Sequence, residues 1–127
     1  EAALQVGLLD ERFFMYCEEI DWCWRIKRAG WDIYCVPQAE IVHLGARSTR
    51  QFREDMFVAL WRSRYQLFAK HYSPRYRRLA RLIVEAGLAR EARRVRRALA
   101  QGALDGPAAE RRLAAYAEVR ALGRMAP

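Results

Sequence analysis

Hydrophobic residues recur with helical spacing through the second half of the chain. There, apolar positions return every three or four residues among arginines, which is the pattern of amphipathic helices. A Ser-Pro step and a turn containing Gly and Pro divide this part into three predicted helices. The first begins at Ser48, where Gln51 completes a capping box, and ends before Ser73; the others span about Pro74 to Ala100 and about Pro107 to Leu122.

The same spacing predicts which side chains of these helices turn inward. The predicted core positions are Phe52, Met56, Leu60, Leu67, Phe68 and Tyr72 in the first helix, Tyr76, Leu79, Ile83, Leu88, Ala92, Val95 and Leu99 in the second, and Leu113, Tyr116, Val119 and Leu122 in the third.

The first part of the chain has a different pattern. An aromatic run from Phe13 to Tyr16 precedes a predicted helix, Glu18 to Ala29, with acids in its first turn, bases in its last turn and Gly30 as its stop. Two short apolar segments separated by a proline, Trp31 to Val36 and Ala39 to Leu44, predict strands. The chain is therefore expected to be α+β, mainly helical.

Composition limits the class of protein. A chain of 127 residues with 53% hydrophobic and 30% charged residues has the composition of one globular domain. No apolar run approaches the roughly 20 residues that a membrane-spanning helix needs. Because residue 1 is Glu rather than Met, we expect the chain to be cut from a longer protein.

The net charge of +8 is unevenly distributed. Residues 1–45 have a balance of −4, residues 46–100 of +11 and the remainder of +1. Such asymmetry indicates an anionic partner for the basic helices. The alternatives are a solvated arginine surface, an anionic membrane, and nucleic acid, for which no recognition motif or interleaved aromatic residues are present.

The three cysteines, Cys17, Cys23 and Cys35, do not form a zinc or disulfide pattern. Their number is odd and no CxxC spacing occurs, so buried free thiols are expected. Trp22, Trp24 and Trp31 are candidates either for core packing or for stacking on a ligand.

Glu18, Glu19 and Asp21 are the strongest candidates for chemistry. Carboxylates held at a helix start beside aromatic side chains suit a general base, because partial desolvation raises proton affinity. The alternative is that they only offset the helix dipole. Asp21 and Arg25 are four residues apart and are expected to pair and orient the helix, while His71 is expected to be structural.

About forty residues together resemble family-2 glycosyltransferases, and within them the bacterial rhamnosyltransferase-like branch. The resemblance rests on Phe13-Phe14-Met15-Tyr16, then Glu18-Glu19-Ile20-Asp21 with Arg25, then Gly30, and then Pro37-Gln38-Ala39 followed by His43, Gly45 and Ser48. The chain departs from the family pattern at Glu19, where the family has Asp, and at Ala46, where it has Gly. The family's Asp-x-Asp metal motif would lie before residue 1.

The resemblance implies roles for individual residues. Glu19, or alternatively Glu18, would be the base that deprotonates the acceptor hydroxyl in an inverting transfer. His43 would complete a metal site, and Arg47 and Ser48 would meet the diphosphate. The divalent cation, Mg²⁺ or Mn²⁺, would be bound mainly by the missing N-terminal half.

The resemblance also implies the setting of the chain. Residues 1–48 would be the closing part of the catalytic domain, of the GT-A α/β type, and residues 49–127 a helical bundle. A nucleotide-diphospho-sugar donor and a polyprenyl-linked or saccharide acceptor would meet in the full-length enzyme, which is expected in cell-envelope polysaccharide assembly. We expect that enzyme to be cytoplasmic, at the inner face of the membrane. The isolated piece is expected to be inactive, to dimerise through exposed apolar surface and not to bind nucleic acid.

Overall fold

The structure, a computed structural model, describes residues 1–42 and 52–125, and its regular elements are helices. Five helices lie in these ranges: α1 (Ala2–Val6), α2 (Glu18–Arg28), α3 (Arg53–His71), α4 (Pro74–Ala100) and α5 (Gly106–Met125). The mainly helical class is confirmed, whereas an α/β closing part stays a prediction from the resemblance.

The predicted strands are wrong over the residues that the structure describes. Neither residues 31–36 nor residues 39–42 form a strand. A strand needs the backbone groups of a neighbouring strand as hydrogen-bond partners, and the described ranges contain none. Apart from the half-buried Trp31, the apolar side chains of these residues accordingly stay in solvent, with Ile41 90% exposed and Tyr34 80% exposed.

Helix α2 is confirmed, one residue shorter than predicted. Its acids lie in the first turn and its bases in the last, as the dipole favours. Gly30 adopts a φ of +88°, and the N–H of Trp31 donates to the carbonyl of Ile26 at 3.2 Å. This is the Schellman arrangement, in which a left-handed residue after the helix satisfies its last carbonyl groups.

Local signals also set both ends of α4. Ser73 Oγ accepts a hydrogen bond from the backbone N–H of Tyr76 at 3.3 Å, and Pro74 occupies the first helical position. Beyond the other end, Gly102 adopts a φ of +69° and its N–H donates to the carbonyl of Leu99 at 3.1 Å. The predicted span is confirmed at both ends.

The start of α3 differs from its prediction. The helix begins at Arg53 with Phe52 as its N-cap, and no side chain caps it. The capping box predicted at Ser48 and Gln51 lies outside the described ranges.

The main core forms where α5 packs against α3 and α4. Its buried side chains are Val58, Tyr65, Leu88, Ala115 and Val119. A second cluster joins the segment before α2 to α3, and its members are Phe13, Cys17 and Leu67 with Tyr16 beside them. Contacts thus cross the domain boundary predicted at residue 48, and that division stays a prediction.

The inward face of α4 is only partly the predicted one. Leu88 and Val95 are buried, but Tyr76, Leu79 and Ile83 are exposed. Successive helical residues are rotated by about 100°, so Leu79 and Ile83 lie on the side of the helix opposite Leu88. Leu99, also predicted inward, is 41% exposed.

Candidate functional site

The chain makes an unusual turn just before the candidate acids. Tyr16 and Cys17 have φ values of +68° and +69°, a left-handed conformation that costs side-chain-bearing residues roughly 1–3 kcal/mol each. The turn is held against α3, because Ser63 Oγ donates to the carbonyl oxygen of Met15 at 2.6 Å and Cys17 packs on Leu67. Strain of this kind is concentrated at functional sites, so the turn marks the start of α2 as a candidate site.

The two candidate bases occupy different environments in the first turn of α2. Glu19 is exposed to solvent, whereas Glu18 is partly buried. Glu18 Oε2 is shielded from solvent and has no hydrogen-bond partner. An unpaired, shielded carboxylate oxygen is available to a hydroxyl group placed against it, while an exposed carboxylate is reached through water.

The cysteines differ in burial, so the expectation of three buried thiols is only partly right. Cys17 is buried, and burial together with the nearby Glu19 charge raises the pKa of its thiol. Cys23 and Cys35 are exposed, because the first lies on the outer side of α2 and the second in the irregular segment that follows. All three are free thiols.

Asp21 is the centre of a buried charge cluster. The residue is 0% exposed, and its Oδ2 accepts a hydrogen bond from Arg25 Nε at 2.9 Å. Its Oδ1 meets Lys70 Nζ at 2.7 Å and His71 Nε2 at 2.6 Å. Burial by itself would raise the pKa of Asp21, but hydrogen bonds from Lys70, His71 and Arg25 outweigh it and hold the pKa below its ordinary value.

Lys70 and Arg25 connect this cluster to the first residues of the chain. Lys70 Nζ also donates to Asp10 Oδ2 at 2.7 Å, so one ammonium group joins two carboxylates. Hydrogen bonds from Arg12 and Lys70 hold the pKa of Asp10 well below its ordinary value. The Arg25 guanidinium donates to the carbonyl oxygens of Val6 and, at 2.6 Å, Leu8.

The ion pair expected between Asp21 and Arg25 is therefore present. The other partners of Asp21 were not predicted from the sequence. Lys70 and His71 are about fifty residues away in the chain and meet Asp21 only through the fold. The His71 ring also stacks on Trp24 with centroids 4.8 Å apart, and its Nδ1 is buried without a hydrogen-bond partner. No motif in the sequence indicated this contact.

The other two tryptophans near α2 use their indole N–H groups within the protein. Trp22 donates to the carbonyl oxygen of Gly7 and Trp31 to Gln5 Oε1, each at 2.8 Å. The indole rings of Trp22, Trp24 and Trp31 thus contact other residues of the protein. This agrees with packing within the fold, one of the two alternatives predicted for them.

An open cleft borders the strained turn. Its volume is about 870 Å³, and Tyr16 forms one edge of it. Three aromatic rings and four charged groups line it, namely Tyr16, Phe57, Tyr116, Arg53, Glu54, Glu91 and Arg112. Aromatic faces with adjacent cations and carboxylates offer stacking and charge-assisted hydrogen bonds to a polar ligand.

The remaining predicted site residues, His43, Arg47 and Ser48, lie outside the described residues. Within residues 1–42 and 52–125, no group of three His, Cys, Asp or Glu side chains is arranged to hold a metal ion. In the same ranges, no helix combines the length and the apolar character needed to cross a membrane.

Comparison with known proteins gives a consistent set of relatives. The chain is 38% identical over 85 residues to the N-acetylglucosaminyl-diphospho-decaprenol L-rhamnosyltransferase of Mycobacterium tuberculosis, a match that covers 67% of this chain and 28% of that protein. It is 31% identical over 67 residues to rhamnosyltransferase WbbL of Escherichia coli, covering 53% of this chain and 25% of the relative. No protein-family model matches the chain. No solved structure matches it either.

Proposed function

Because the chain is homologous to rhamnosyltransferase-like glycosyltransferases over about a quarter of their length, we propose that it forms part of a glycosyltransferase for cell-envelope glycan assembly. The observation that carries the proposal is the 38% identity over 85 residues to a protein named as a rhamnosyltransferase. The donor would be a nucleotide-diphospho-sugar. A polyprenyl-linked saccharide is the acceptor we propose, since that relative's name specifies a decaprenol diphosphate.

We propose an inverting transfer in which a carboxylate at the start of α2 is the base. Glu19, to which the resemblance assigns this role, takes the proton of the acceptor hydroxyl, or Glu18 with its shielded Oε2 does so in the alternative assignment. The hydroxyl oxygen then forms a bond to the anomeric carbon as the bond to the nucleoside diphosphate breaks, and that leaving group retains the electron pair. The strained turn at Tyr16 and Cys17 supports this placement, because it fixes where α2 begins.

The cleft that Tyr16 borders supports binding of a polar acceptor, although neither Glu18 nor Glu19 lines it. Its aromatic side chains provide faces for a sugar ring, and Arg53 and Arg112 provide cations for a phosphate group. Arg112 lies 3.9 Å from Glu54, a contact loose enough to yield to a ligand.

A divalent cation remains part of the proposal on the strength of the resemblance alone. The described residues do not by themselves fit such an ion, because they contain no group of three suitable ligands. His43 would be one ligand, and Arg47 and Ser48 would contact the diphosphate.

The base assignment is tested in the full-length enzyme with two single substitutions. Glu19→Gln keeps the size of the side chain and removes the proton acceptor, so kcat should fall by a factor on the order of 10²–10⁴ with donor binding largely unchanged. Glu18→Gln should have a smaller effect. If instead Glu18→Gln causes the larger fall, the partly buried carboxylate is the base.

A matched control removes a neighbouring acid of the same charge. Glu11 is exposed and lies before the strained turn, so Glu11→Gln should leave kcat close to that of the unmodified enzyme. Near-normal rates for both Glu18→Gln and Glu19→Gln would show that neither carboxylate is the base.

The competing proposal is a module that only docks on an anionic surface. The arginines of α4 favour it, and the two proposals differ in which residues matter. The binding of a docking module to its surface does not depend on Glu19. A transferase loses turnover without Glu19, even if its arginines also contact a membrane. The kinetic experiment on Glu19 therefore separates them.

A further inference from the structure

The outward side of α4 is apolar in its first turns. Leu79 is 59% exposed, Leu82 57% and Ile83 64%, and Tyr76 lies beside them. Single exposed apolar residues are ordinary, but four on one side of about two turns form a continuous patch. This patch faces away from the core side chain Leu88.

A shallow apolar groove extends the patch toward α3. Its volume is about 260 Å³, and the side chains that line it include Trp61, Phe68, Tyr76, Leu79, Ile83 and Val84. At its edge the Arg64 guanidinium lies 4.8 Å from the centre of the Trp61 ring. A cation over an aromatic ring beside apolar side chains is suited to the boundary between lipid headgroups and acyl chains.

Arginines continue the same side of α4 toward its C-terminal end. Arg90 lies seven residues after Ile83. Arg93 and Arg97 follow at further intervals of three and four residues, so the helical repeat places all three arginines in line with the apolar patch. The whole of α4 contains nine arginines against two glutamates, a balance of +7. We call this side, made of Tyr76, Leu79, Leu82, Ile83, Arg90, Arg93 and Arg97, the outer face of α4.

We propose that the outer face of α4 binds the surface of an anionic phospholipid bilayer, with the helix lying in the plane of the interface. The apolar turns enter the boundary of the acyl chains, and the arginines contact phosphate and carboxylate headgroups. A helix of 27 residues is about 40 Å long, which allows both parts to reach the membrane together. The inference depends on α4 and the adjoining side chains of α3, so it goes beyond the transferase proposal and does not rest on it.

Charge decides between a membrane and the other occupants of this face. A second copy of the chain would bring two sets of arginines together and repel itself. A nucleic acid would pair with the arginines but leave Leu79, Leu82 and Ile83 in water. An anionic bilayer matches both the cations and the apolar side chains.

Sedimentation with lipid vesicles tests the proposal on the 127-residue chain. Vesicles contain phosphatidylcholine alone or with about one third phosphatidylglycerol, at ionic strengths of about 0.05 M and 1 M. The chain should sediment with the anionic vesicles at low salt and much less at high salt or with phosphatidylcholine alone. The double variant Leu79→Ser, Ile83→Ser should bind less. Its partition coefficient between water and the anionic vesicles should fall on the order of tenfold or more.

Two triple variants with the same change of charge separate the outer face from net charge. Arg90→Gln, Arg93→Gln and Arg97→Gln together should weaken binding at low salt roughly 100-fold. Replacing the three exposed α5 arginines, Arg111, Arg120 and Arg124, by Gln should have a much smaller effect, because they lie on another helix. Circular dichroism checks that every variant keeps its helices.

Three results would overturn the proposal. The first is absence of sedimentation with anionic vesicles at low salt. The second is equal loss of binding in the α4 and α5 triple variants, since net charge would then be responsible. The third is a lipid-free dimer that the Leu79→Ser, Ile83→Ser variant dissociates while vesicle binding is unchanged, which would make a second copy the occupant.

Discussion

Asp21 is a carboxylate withdrawn completely from solvent, and its three cationic or hydrogen-bonding partners explain how the fold tolerates it. Removing a charge from water costs several kcal/mol, and good geometry with more than one partner is needed to offset that cost. Arg25 and Lys70 are themselves mostly buried, with side chains 20% and 24% exposed. Loss of the carboxylate would therefore leave Lys70 paired with Asp10 alone and remove the ion pair of Arg25.

Asp21→Asn tests this balance. The substitution keeps the shape of the side chain but removes its charge, so we expect a loss of about 3–5 kcal/mol in the free energy of unfolding. Urea denaturation followed by circular dichroism measures it. As a control, Asp32→Asn removes an exposed carboxylate paired with Lys27 and should leave the urea midpoint nearly unchanged. Equal midpoint shifts for the two variants would contradict a special role for Asp21.

The sequence predicted Asp21 as a candidate site residue, but it predicted only one of the partners of its carboxylate. Arg25 was predictable because a spacing of four residues places two side chains together on a helix. Lys70 and His71 were not, because only the packing of the turn before α2 on α3 brings them to Asp21. The different burial of Glu18 and Glu19 likewise depends on that packing, and neighbouring residues in a motif contain no information about it.

At the scale of elements, helices were predictable and strands were not. A helix satisfies its own backbone groups, so spacing, Ser73 and Gly102 were sufficient to place α4. A strand depends on a neighbour, and the apolar segments after α2 have none in the described residues. Periodicity also failed to decide which side of α4 is buried, because that helix has apolar side chains on both sides.

Two glycines in the helical part should respond in opposite ways to the same substitution. Gly123 is buried where α5 crosses α3, and a Cβ added there would lie 2.7 Å from Tyr65 Oη and 2.9 Å from its Cζ. Gly123→Ala should therefore destabilise the protein by about 1–3 kcal/mol. Gly87 in α4 has nothing within 4 Å of such a Cβ, so Gly87→Ala should stabilise it by roughly 0.4–1 kcal/mol.

Thermal denaturation of the two glycine variants decides the sign of each change. A stabilised Gly123→Ala variant would show that α3 and α5 are not in close contact at Tyr65. A destabilised Gly87→Ala variant would instead show that α4 is covered at Gly87 in solution.

At the scale of the whole molecule, two carboxyl groups join the first thirty residues to the helical part. Asp10 and Asp21 both contact Lys70 of α3, and the pKa of each lies below its ordinary value. The unfolded chain therefore binds protons at these groups at a higher pH than the folded chain does. Their contribution to stability is fully present above the ordinary pKa of Asp, about 3.9, and is lost as the pH falls through the folded-state values.

The protein should consequently lose thermal stability in acid through this contact. Melting temperatures measured by circular dichroism should be nearly constant from about pH 7 to pH 5 and should fall below about pH 4. The Asp21→Asn variant cannot titrate at this position, so its melting temperature should be lower at neutral pH and should approach that of the unmodified protein in acid. A difference between the two proteins that is as large at pH 3 as at pH 7 would contradict the lowered pKa of Asp21. Asp10→Asn should show the same convergence, because Lys70 holds both carboxylates against α3.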